Sequence, residues 1–278
     1  MSAPAADFPA GSVELRVRSL LAGLERLRDG TAAMGWAEVR KLRHDHLDIF
    51  TRSVQPLLWL FIFGTALRRN HTLSGGFHDY RAYLAPGVMA QAALFVAIFF
   101  GLGVIWERDV GQLQRLLATP LPRLAIVLGK ATGAGLRALA QGIVLLVVIA
   151  IAGIAIRWNP LDIIGAFVLL LLGTGAFACL SMILASLVRT RERFMGIGQL
   201  VVMPLFFASS ALYPIGIMPH WLRIVAHANP LSYEVHGMRR LLLGISAGGT
   251  LWLDFLVVAV FLAVAAVTAA KTYPRAIL

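Results

Sequence analysis

The chain has 278 residues, of which 59% are hydrophobic and 14% charged, with a mean hydropathy of +0.78 and a formal net charge of +11. Soluble domains carry roughly 45–50% apolar and about 25% charged residues, so this composition excludes a soluble globular domain, and the single cysteine, Cys179, excludes an internal disulfide. In a membrane chain the cationic excess bears on which bilayer face each segment meets, and no nucleic-acid partner is expected.

Residues 1–52 read as a cytoplasmic N-terminal region without the apolar stretch of a cleavable signal peptide. It holds two amphipathic stretches. In the first, Val13, Val17, Leu20, Leu21, Leu24 and Leu27 recur at helical spacing among Arg16, Arg18, Arg26 and Arg28. In the second, residues 36–50, Trp36, Val39, Leu42, Leu47 and Phe50 do the same among Arg40, Lys41 and Arg43. An apolar stripe with a basic face is suited to the headgroup layer of an anionic leaflet.

Residues 53–278 read as a transmembrane domain. A membrane helix needs about 20 apolar residues, and six spans are expected, over about 53–68, 83–105, 124–154, 161–187, 194–213 and 251–270. Their continuous apolarity, without strict alternation, predicts helices and not a barrel. With the N-terminus inside, the inner segments hold seventeen Lys and Arg and the outer segments seven. The bias places both termini, and the loop over 107–120, on the cytoplasmic side. Between spans five and six, Tyr213-Pro214, Met218-Pro219-His220-Trp221 and Asn229-Pro230-Leu231-Ser232-Tyr233 interrupt apolar pieces too short to cross. They predict short helices in a re-entrant outer hairpin, which is allowed where backbone is buried in protein.

The chain lacks the residues of several chemistries. Gly129-Lys130-Ala131 is the nearest approach to a phosphate-binding loop, and it has Leu124 and Ala131 where Gly and Ser or Thr are needed. His44 and His46 are two apart, which does not share a helix face, and His71 and His78 fall in an outer loop, so no metal site is expected. Glu107, Asp109, Asp162 and Asp254 all fall near span ends. No chain of deep carboxylates is expected, which counts against a proton-driven carrier. Gln91, Phe95 and Phe99 recur at i, i+4, i+8 on one face of the second span. With Gln199, Phe206 and Phe207 of the fifth they are the candidate substrate pathway.

Three places together resemble the membrane subunit of ABC-2 type transporters, the permease family that includes daunorubicin-resistance exporters. They are Glu107-Arg108-Asp109 through Thr119-Pro120 with Leu128-Gly129-Lys130, Phe206 through Pro214 with Met218 through Leu222, and Asn229 through Tyr233 with Arg239. The likeness runs over roughly residues 35–275. It implies a cytoplasmic coupling helix over 107–120 that docks on a separate ATPase subunit. The coupling residues would be Glu107, Arg108, Asp109, Gly111, Gln112, Leu113, Arg115, Leu116, Leu117, Thr119 and Pro120. Of these, Arg108, Asp109 and Arg115 would make the polar contacts, Leu113, Leu116 and Leu117 an apolar plug, and Pro120 the stop. Residues 36–50, with Trp36, Arg40 and Arg43, become a connecting helix beside it. The resemblance further implies a homodimer served by two ATPase copies, which bind the ATP and magnesium, so this chain carries no cofactor and is no enzyme. The expected role is export of an amphiphilic, drug-like or lipid-linked molecule across a bacterial cytoplasmic membrane. A polysaccharide or glycolipid exporter of the same family is the near alternative, and a proton-coupled carrier the distant one.

Overall fold

The computed structural model describes residues 10–42, 46–67, 79–188, 190–244 and 250–273. Among these, ten α-helices and a 3-10 turn follow one another without a strand: α1 (Ala10–Leu42), α2 (His46–Ala66), α3 (Tyr80–Asp109), α4 (Gln112–Leu117), α5 (Arg123–Ile151), α6 (Pro160–Leu187), α7 (Arg191–Phe207), the turn Ile215–Ile217, α8 (His220–Ala228), α9 (Pro230–Leu243) and α10 (Leu251–Thr272). Arg43 and His44, and the loop with His71 and His78, lie outside the described residues.

Four helices, α3, α5, α6 and α10, are long and apolar enough to cross a membrane. The chain is therefore a multi-pass membrane protein. Their starts are set by local chemistry. The Asp79 side chain accepts the Arg81 N–H at the head of α3, and Asn159 accepts the Leu161 N–H ahead of Pro160 at the head of α6. Helix α6 is central, packed against α3, α5, α9 and α10, while α2 lies along α3 and α5 and α7 along α3.

The structure departs from the expected boundaries in three places. The first and fifth spans fall on α2 and α7, which are not among the four. Helix α7 has 17 residues and ends at Phe207, so residues 208–213, expected within the fifth span, are irregular backbone. The two N-terminal amphipathic stretches are not two helices: α1 runs unbroken through Trp36 to Leu42, and residues 46–50 open α2. Helix α1 is pinned along α5 through small residues. A Cβ on Gly129 would strike Met34, and one on Gly133 would strike Glu38.

Helix α2 contains Pro56, which has no N–H to offer the Arg52 carbonyl four residues back. Gln141 of α5 supplies the missing donor, its Nε2 lying 3.0 Å from that carbonyl oxygen. One amide on α5 thus completes the broken ladder of α2 and ties the two helices together.

Candidate functional site

The two ends of α3 define two ends of the bundle. Its last residue is followed directly by α4, and its first turn meets the α8–α9 hairpin about 45 Å away at 1.5 Å per residue.

At the α4 end, residues 107–120 are not one helix. Glu107, Arg108 and Asp109 finish α3, and Gly111 turns the chain in the left-handed region (φ 74°), a conformation glycine adopts without the Cβ clash. A six-residue α4 follows, closed by Thr119, whose hydroxyl donates to the Leu116 carbonyl at 2.6 Å. Leu113, expected in an apolar plug for a partner, points inward. It is fully buried among Val104, Ile105, Ile126 and Val127. Leu116 and Leu117 are half-buried, and Gln112, Arg115, Thr119 and Pro120 are exposed. Asp109 is not free for a partner, because Arg191 of α7 pairs with it at 2.9 Å while stacking over Trp106 at 4.5 Å. Arg108 donates to the Val188 carbonyl at 3.3 Å.

Behind this surface lies a cluster of polar groups whose pairing the sequence alone did not reveal, although Glu107 and Lys130 stand in the motifs quoted above. Lys130 of α5 is buried and pairs with Glu107. Arg137 of α5 pairs with Glu38 of α1 at 3.3 Å and lies 5.3 Å over the Phe100 ring. Tyr273, just past α10, is buried beside them. Burial raises its phenol pKa, and the carboxylates of Glu107 and Glu38 raise it further. Four elements (α1, α3, α5 and the end of α10) thus meet in one set of interactions. Opposite charges at the bases of two neighbouring spans, Glu107 and Lys130, were the available signal. On α1, Trp36 is 58% exposed and Arg40 lies on the surface.

The candidate pathway residues divide. Phe95 and Phe99 of α3, stacked at 6.4 Å, line a cleft of about 50 Å³ with Gln199, Gly198, Met195 and Val202 of α7. The Arg52 guanidinium stands 5.6 Å over the Phe99 ring. Gln91 and Phe206 do not reach this cleft, being 3% and 2% exposed within the core. Phe207 is exposed and meets Trp59 of α2 edge-on at 6.4 Å.

At the hairpin end the irregular backbone after α7 is held by side chains. Arg239 of α9 donates Nη1 to the Ser210 carbonyl at 2.6 Å, Nη2 to Ala211 at 2.7 Å and Nε to Tyr83 at 3.1 Å, with its guanidinium 3.6 Å from the Tyr83 ring. The Tyr80 hydroxyl donates to the Leu212 carbonyl at 2.7 Å. Asn229 caps α9 with its oxygen, and its amide donates to the Leu205 carbonyl at 2.7 Å. Carbonyls that leave a helix inside an apolar body must find donors, and these three side chains supply them.

The family model for ABC-2 type transporters matches residues 30–243. The chain belongs to the ABC-2 type transporter family. The match takes in the α4 loop, the cleft, the Arg239 clamp and the half of α1 that packs on α5, and it stops before α10. Among individual proteins, the chain is 29% identical over 201 residues to the transport permease ycf38 of Cyanophora paradoxa, covering 72% of this chain and 69% of that one. It is 31% identical to nodulation protein J of Rhizobium leguminosarum bv. trifolii, over 68% and 72% of the two chains. It is 24% identical to the daunorubicin resistance permease DrrB1 of Streptomyces coeruleorubidus, over 82% of each. An ABC-2 permease is a transport subunit and not an enzyme, and the family implies work with an ABC ATPase.

Proposed function

We propose that this chain is the membrane half of an ATP-driven exporter in a bacterial cytoplasmic membrane, with α2 and α7 crossing beside the four longer helices. Both termini and α4 face the cytoplasm, and α8–α9 forms a re-entrant outer hairpin. Two copies form a homodimer, and each docks one ATPase subunit on α4 and the exposed side of α1. The observation that carries this reading is the α4 loop. Arg115, Gln112 and the edges of Leu116 and Leu117 face outward, while Leu113 and the Glu107–Lys130 pair fix the loop to the bases of α3 and α5.

A push on α4 then reaches two membrane-length helices as rigid-body motion. It shifts the transport equilibrium only as far as ATP favours one conformation over the other. The cleft between α3 and α7, aromatic with one amide, suits an amphiphilic or lipid-linked cargo, and the daunorubicin-resistance relative supports a drug-like one.

The test is reconstitution. The chain should co-purify with an ABC ATPase, and vesicles holding both should move a fluorescent amphiphile only with ATP. Substituting Phe99→Ala should change cargo preference without changing ATPase binding. Transport by the permease alone on a pH gradient would rule this reading out.

A further inference from the structure

Glu234 is a carboxyl group in an unusual place. It lies on α9 against α6, is 1% exposed, and forms no ion pair among the described residues, and its Oε1 has no hydrogen-bond partner. The residue facing it is Gly173, halfway along the 28 residues of α6, and a Cβ there would collide with the carboxyl. The acid therefore occupies space that a glycine leaves open, at mid-depth of a membrane-length helix.

Among the described residues, no Lys, Arg or His pairs with it. Arg239, five residues on, is turned to the carbonyls of Tyr83, Ser210 and Ala211. Helix α3 presents Tyr80 and Tyr83 to that same guanidinium. Helix α6 carries one charged residue, Asp162, in its first turn. Helix α10 presents Asp254, an acid, and α8 ends with His227. On α9 itself His236 and Arg240 follow. An unpaired carboxylate at this depth is far costlier than the neutral acid.

One turn further along the same face, Gly237 packs on Leu169 and Asp254. There the Nδ1 of His236 lies 2.9 Å from Asp254 Oδ2, with His236 partly exposed. His236 is two residues from Glu234, on a different face of α9, and its partner is Asp254.

We propose that Glu234 is a proton-binding site of the hairpin, neutral while α9 is seated on α6 and giving its proton to water on the side where the hairpin lies when α9 lifts away. The carboxyl O–H bond breaks with its electron pair left on oxygen. The proton passes to water, and reseating α9 reverses the step. Its meaning for transport rests on the export reading above: opening of an outer exit is then linked to release of one proton per permease copy.

The test is the infrared spectrum of the permease–ATPase complex carrying isotope-labelled glutamate at neutral pH. The chain has six glutamates. Glu25 and Glu192 are exposed and Glu38 and Glu107 are ion-paired. One labelled protonated-carboxyl band is expected, lost in Glu234→Gln and kept in Glu192→Gln and Glu14→Gln. Absence of that band in the wild-type complex, or its survival in Glu234→Gln, overturns the proposal. A second measurement is thermal unfolding against pH. With the acid neutral in the folded state, the contribution of Glu234 is complete below the ordinary glutamate value and is lost as pH rises beyond it. Wild-type melting temperature should fall along that rise, and Glu234→Gln should fall less. Equal slopes overturn the proposal. Neither readout needs cargo, so failure of the export reading would leave the band in place.

Discussion

At the α4 end, buried charges neutralise one another. Lys130 meets Glu107, Arg137 meets Glu38, and the backbone around them is regular helix. At the hairpin end, Arg239 meets no carboxylate among the described residues; it meets two carbonyl oxygens of the irregular segment after α7 and one in the first turn of α3. The first arrangement ties separate helices together and leaves the outer face of α4 bare. The second holds an irregular segment in shape and presents no such face. One end is built to receive a push as a unit, and the other to keep a broken segment buried.

The largest effect is expected where that contrast is sharpest. Arg239→Met leaves the Ser210 and Ala211 carbonyls short of a donor in an apolar body. At about 1–3 kcal/mol for each stranded group, the loss should be several kcal/mol, read as a large drop in melting temperature and in yield of folded protein. A variant that melts with the wild type would mean that the segment after α7 is held by packing alone. Glu107→Gln should come next. It leaves Lys130 buried without its anion, a change of roughly 3–5 kcal/mol for a broken buried pair. Glu107→Leu with Lys130→Leu should recover most of it, because removing both charges removes the stranded one. A double-mutant cycle on melting temperature measures the coupling, and a value near zero would dissolve the idea that α3 and α5 move together through this pair.

Arg115→Glu sharpens the comparison in another way. Its side chain is exposed, so stability should stay within about 0.5 kcal/mol, while affinity for the ATPase subunit falls roughly tenfold or more through like-charge and lost contacts. Binding measured on immobilised permease decides it. Unchanged affinity would move the docking surface off α4.

How much of this was legible follows from the same physics. The helices α3, α5, α6 and α10 could be read because about twenty apolar residues in a row have few homes other than lipid. The end of α7 could not. Phe206 through Leu212 fall within the expected fifth span, and hydropathy does not register that Arg239, Tyr80 and Asn229 have taken over carbonyls there. The single α1 was hidden because the leucine pattern lapses after Leu27, where Gly30 and Met34 meet α5. At the candidate site, the 107–120 loop was picked out by its charges between two apolar runs and by the family resemblance, and spacing alone put Phe95 and Phe99 on one face. The inward turn of Leu113 and the burial of Gln91 could not be read, since a periodic stripe shows that a face is shared but not which neighbour it meets. Glu234 was missed for a related reason. It follows a proline-marked helix start in a segment too short to span, and only the packing of α9 on Gly173 carries it to depth.

The smallest expected effect isolates a single hydrogen bond. Gln141→Leu should cost about 1 kcal/mol, because the Arg52 carbonyl loses the donor that stands in for the one Pro56 lacks. Gln141→Leu combined with Pro56→Ala should recover that loss, since the substituted alanine brings back an N–H and closes the ordinary i to i−4 bond. If Pro56→Ala destabilises the Gln141→Leu background instead, the proline is wanted for the bend it puts in α2, and the amide is a helix contact like any other. Either result bears on the comparison of the two ends. It tells whether substituting side chains for missing backbone donors, as Arg239 does at the hairpin, is a habit of the whole bundle or a device confined to the segment after α7.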